Sequence, residues 1–74
     1  MTPYWITTNH GLGVGITARS ETDARALFDE SLGASHKLLG IKPIADMAQL
    51  DQNHVVPNMG NWFQRGIWYP LGYA

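Results

Sequence analysis

The chain has no cysteine. No disulfide can staple it, and the absence fits a reducing compartment. Charge is scarce as well. Charged residues make up 15% of the sequence, with five basic and six acidic side chains and a net charge of -1. The basic residues Arg19, Arg25, Lys37, Lys42 and Arg65 are scattered among acids, so no basic patch marks a nucleic-acid binder. No apolar run approaches the roughly 20 residues of a membrane span. The first residues, MTPYWITTN, lack both a basic n-region and an apolar h-region, so no signal peptide is expected. The expected location is the cytoplasm, with no membrane or nucleic-acid partner.

What is present must then account for stability. With 74 residues the chain is one domain. A domain of this size buries only about 60% of the surface its unfolded chain exposes. Unusually apolar packing or self-association has to compensate. A composition 45% hydrophobic with three tryptophans suits either route.

Tyr4 to Thr8 reads as a strand of aromatic and β-branched residues. Asn9-His10-Gly11 supplies turn chemistry, and Leu12 to Ala18 reads as the return strand of a hairpin. Its alternation puts Leu12, Val14 and Ile16 on one face and Gly11, Gly13 and Gly15 on the other. The aliphatic face is expected to meet the following helix. Ser20 caps that helix, with Glu21 and Asp23 in the first turn where the dipole favours acids. Ala24, Leu27, Phe28, Ser31 and Leu32 recur at helical spacing, predicting a helix from Glu21 to Leu32 that Gly33 ends. Arg25 and Asp29 stand four apart on the wet side.

His36 to Lys42 reads as a third strand, pairing Leu39 with Ile41 on one face and Leu38 with Gly40 on the other. Ile44 to Leu50 fits a short helical turn lined by Ile44, Met47, Ala48 and Leu50, with a loop strand as the alternative. Asp51 to Asn53 is a polar connector and His54 to Val56 a short strand. Pro57 to Gly60 is a turn. Phe63 to Tyr69 is the last strand, closed by Pro70, and Leu71 to Ala74 is a tail expected to fray. The fold class is α+β, a small two-layer β-β-α-β-β-β domain with the helix on one face of a mainly antiparallel sheet.

The richest stretch runs from Gln52 to Tyr69. It holds Trp62, Phe63, Trp68 and Tyr69 beside a single charge, Arg65. Arg65 can stack on a ring, pair with Asp51, or receive a carboxylate from a ligand or partner. The alternating glycines are not a nucleotide loop, because they do not open a helix and no G-K-[ST] follows. Either an aromatic ring from Trp62 or Trp68 covers Gly13 and Gly15, or they floor an open groove. Asp51 and His54, three apart, can orient a catalytic base or simply hold an irregular connection through local hydrogen bonds. No nucleophile-elbow context accompanies them. The histidines His10, His36 and His54 are dispersed and lack zinc-helix spacing, so no metal site is expected, nor a cofactor.

At PYWITTNHGLGVG near the start and LDQNHVVPNMGNWFQRGIWYP near the end, the chain resembles a family of short bacterial proteins. That family is marked by an aromatic strand with His-Gly-x-Gly and by a closing D-Q-N-H-V-[IV]-P-N-M-G followed by R-G-[IV]-W-[YF]-P. The resemblance covers most of the chain. It implies a bacterial or phage setting and a stand-alone small domain, and it carries no activity with it.

The expected function is a non-enzymatic protein-binding module of inhibitor, immunity or adaptor type. Its partner is another protein or a second copy, as a homodimer. The expected binding surface is Trp62, Phe63, Arg65, Trp68, Tyr69, His54 and Asn58, together with the glycine face at Gly13 and Gly15; no residue is expected to be catalytic. The alternative is a small ligand-binding protein or enzyme with a pocket around His54, Asp51, Asn58 and Arg65.

Overall fold

The computed structural model describes residues 1–11 and 13–70, with the side chain of Met47 left aside. The expectations for Leu12 and for the tail, Leu71 to Ala74, lie outside the described residues. The elements are β1 (Thr2–Thr8), β2 (Gly13–Ala18), α1 (Glu21–Leu32), β3 (Leu38–Pro43) and β4 (Gly66–Tyr69), with 3-10 turns at Met47–Gln49 and Val56–Asn58. The four strands form one sheet in the order β3-β1-β2-β4, and every neighbouring pair is antiparallel.

The hairpin and helix follow the local chemistry. Gly11 turns the chain at φ 75°, a conformation that L side chains rarely adopt. Ser20 is extended, and its hydroxyl accepts the Asp23 N–H at 3.1 Å, satisfying a donor that the first helical turn leaves free. Ala24, Phe28 and Leu32 are buried along one stripe, with Leu27 beside them. Ser31, expected on that stripe, is exposed. Arg25 pairs with Glu21 rather than Asp29, the orientation a helix favours, with the acid four residues N-terminal to the base.

Strand expectations are corrected at β3, at His54 to Val56, and at Phe63, since β4 begins only at Gly66. β3 begins at Leu38, not His36, because the amides of Ser35 and His36 both still bond back to the Leu32 carbonyl and prolong the helix end. Its alternation also breaks. Thr7 faces Gly40 and Thr8 faces Leu38, so Leu39 is an extra residue in the ladder. Leu38 and Ile41 therefore pack on the helix side while Leu39 is 62% exposed. The strand expected at His54 to Val56 is not formed. The Asp51 carbonyl accepts both Val55 and Val56 N–H at 3.1 Å, and the chain winds into a 3-10 turn.

The sheet is covered on both faces. On one side Tyr4, Ile6, Val14, Ile16, Ala18 and Ile67 pack against α1. On the other, Ile44, Leu50, Val55 and Trp68 form a second apolar cluster, with Trp5, Val56, Met59, Trp62 and Tyr69 at its margin. The irregular segment from Ile44 onward thus acts as a layer of its own. Gln49 shapes it by accepting the N–H groups of Ala45 and Asp46 at 2.6 and 3.1 Å. Ile44 and Leu50 point inward as expected, while Ala48 is exposed.

Candidate functional site

The far face of the sheet decides what remains for binding. Residues β2 places on that face are Gly13, Gly15 and Thr17. A Cβ at Gly13 would overlap the Trp5 indole, and one at Gly15 would overlap the Trp68 indole. Both glycines are floors beneath aromatic rings. The open-groove reading of Gly13 and Gly15 is corrected, since indoles occupy the space a ligand or partner strand would need. Trp68 is 2% exposed and cannot dock on anything without unfolding.

Thr17 ties this layer to the sheet. Its hydroxyl accepts the Trp68 Nε1–H at 3.0 Å and donates to the Trp62 carbonyl. Trp62 meets Trp68 edge-on at 6.0 Å between centroids. Trp5 lies 6.2 Å from Trp68 and stacks on Tyr69 at 5.7 Å. Edge-on and offset contacts of this kind suit the ring quadrupoles. Trp5 was not among the residues singled out from sequence, although hairpin pairing places it directly opposite Gly15. That cross-strand register was the available signal.

Arg65 forks onto Asp23, with Nε to Oδ2 at 2.9 Å and Nη2 to Oδ1 at 2.6 Å. The expected partner Asp51 is not the one found. Asp23 also accepts the Arg19 N–H at 3.0 Å. The Arg65 hydrogen bonds first, then the Arg19 N–H, hold the Asp23 carboxyl well below the usual carboxylate range. The same pair raises Arg65. The guanidinium is therefore engaged within the chain, joining β4 to the start of α1.

Asp51 accepts the N–H groups of Asn53 and His54 at 2.8 and 3.1 Å and sits 3.0 Å from His54 Nδ1. The Asn53 N–H, then the His54 ring and His54 N–H, lower its carboxyl. Asn58 Nδ2 donates to the His54 carbonyl at 2.8 Å. These side chains hold a connection together. His54 is 81% exposed on its side chain. Of the four residues of the alternative pocket, Asp51, His54 and Asn58 are joined by hydrogen bonds, while the Arg65 guanidinium binds Asp23.

What remains on the surface is Phe63. Its ring is 82% exposed and stands edge-on to the half-buried Trp62 at 6.1 Å. The Asn61 side chain accepts the Phe63 N–H at 2.9 Å, which keeps this stretch in a turn and delays β4 until Gly66. Gly66, at φ 139°, starts the strand. Beside Phe63 a cleft of about 300 Å³ is lined by Met1, Pro3, Thr17, Ile44, Ala45 and Trp62. Among the expected docking residues only Phe63 and Trp62 meet at this surface, and Tyr69 is half-buried under Trp5.

Among the described residues no group of three or more histidines and carboxylates is placed to hold a metal. No described helix is long and apolar enough to cross a membrane. No family model matches the chain, and no curated protein or solved structure matches it.

Proposed function

We propose that the chain is a non-enzymatic protein-binding module of inhibitor, immunity or adaptor type, working in the cytoplasm of a bacterial or phage-infected cell. It docks on another protein that offers an apolar pocket to Phe63. The observation that carries this reading is the Phe63 ring, 82% exposed beside a cleft in a chain that encloses Trp68 almost completely. A phenyl ring left in water forgoes about 1.5–3 kcal/mol that burial would supply. A partner pocket recovers it, and aromatic anchors of this kind concentrate interface energy.

Phe63→Ser tests the reading. It should leave the melting temperature within a degree or two, because little of the ring is buried in the fold. Affinity for the partner, identified by cross-linking in the host and measured by calorimetry, should fall about tenfold or more. A partner bound equally by wild type and variant would rule the Phe63 surface out.

A further inference from the structure

His10 follows the first hairpin strand and His36 follows the end of α1. The fold brings them face to face, with ring centroids 4.5 Å apart and planes tilted by 57°. Ser35 orients both rings. Its carbonyl accepts from His10 Nε2 at 2.8 Å, and its hydroxyl lies 2.8 Å from His36 Nδ1. A carbonyl only accepts, so His10 carries its proton on Nε2 and keeps a lone pair on Nδ1. In the tautomer that carries its proton on Nδ1, His36 donates to the Ser35 hydroxyl and its lone pair falls on Nε2. Each imidazole is thus fixed through one nitrogen and has a second to offer. Metal-binding histidines are held in this way.

The two chain segments are also tied to each other. Asn9 N–H donates to the Lys37 carbonyl at 3.1 Å, and the Asn9 side chain accepts the Lys37 N–H at 2.9 Å. Two imidazoles bound to one ion at about 2.0–2.1 Å, with an angle between square and tetrahedral, have centroids about 4.5–5.2 Å apart. The observed 4.5 Å falls at the short end of that range.

We propose that His10 and His36 form a two-histidine site for a divalent first-row transition-metal ion of the zinc or nickel class, with water completing its coordination. Imidazole suits these ions. Arg25 and Lys37 line the cleft beside His36 together with Asp29, so the local charge keeps the site weak and exchangeable. It shares no residue with the cleft beside Phe63.

Zn²⁺ and Ni²⁺, each added alone to the full chain, provide the test by calorimetry and by NMR of the imidazole rings. One equivalent should bind, shifting the ring signals of His10 and His36 and leaving those of His54 in place. His10→Ala and His36→Ala should each weaken binding about tenfold or more, and His54→Ala should not. His10 is exposed, and amide spectra confirm that each variant stays folded; His10→Gln serves if His10→Ala does not. Binding that survives His10 substitution, binding lost only with His54→Ala, or no ring shift at millimolar metal would each overturn the proposal.

Discussion

At the scale of single residues, the two glycines of β2 matter through what stands over them. Gly15 has no room for a methyl group, because the Trp68 ring already fills it. Gly15→Ala should lower stability by about 1–3 kcal/mol, the usual cost of overpacking, read from urea midpoints. Gly11→Ala lacks such a neighbour and would act only through its positive φ. The glycine alternation itself was legible in the sequence, and so was the idea of a covering ring. The identity of the second cover was not. Trp5 was read only as a strand former, since nothing in its neighbours announces that a long indole leans diagonally onto Gly13. Arg65 was misassigned for a related reason: Asp51 is close in sequence, while Asp23 is brought near only by packing.

At the scale of elements, the bond between Arg65 and Asp23 clamps β4 to the first turn of α1. Its contribution depends on pH in a defined direction. The Asp23 carboxyl is lowered in the folded chain, so the unfolded chain takes up its proton first as the pH falls. The stabilisation is complete above the unfolded value of about 3.9 and is lost as the pH drops towards the folded one. Asp23→Asn should therefore be less stable than wild type near neutral pH, and the gap should narrow steadily below about pH 4 in acid titrations followed by circular dichroism. A constant gap at all pH values would contradict the pairing. Helix α1 was read to its observed ends because capping and periodicity are both local. The strand expected at His54 to Val56 failed because an acid three residues earlier recruits its amides, and alternation of side chains cannot reveal that.

At the scale of the whole molecule, both sheet edges are guarded. The outer strand β3 carries exposed Lys42, Pro43 without an N–H, and an irregular register. At the other edge the Gly60 N–H donates to the Trp68 carbonyl at 2.6 Å, occupying β4. Growth of the sheet by a second copy is thereby discouraged. Light scattering should give the monomer mass at tens of micromolar protein; a dimer would instead make a second copy the occupant of the Phe63 surface. The α+β class, the hairpin and the helix-backed sheet were all legible beforehand. That the irregular segment would form a second lid was not, since its apolar residues keep no single period from Ile44 through Trp62.

All three tryptophans, Trp5, Trp62 and Trp68, belong to that second cluster, and none lies in the helix-side core. Their emission therefore watches one half of the molecule, while helical dichroism watches the other. Following both during denaturation separates loss of the lid from loss of the helix, on opposite faces of one sheet.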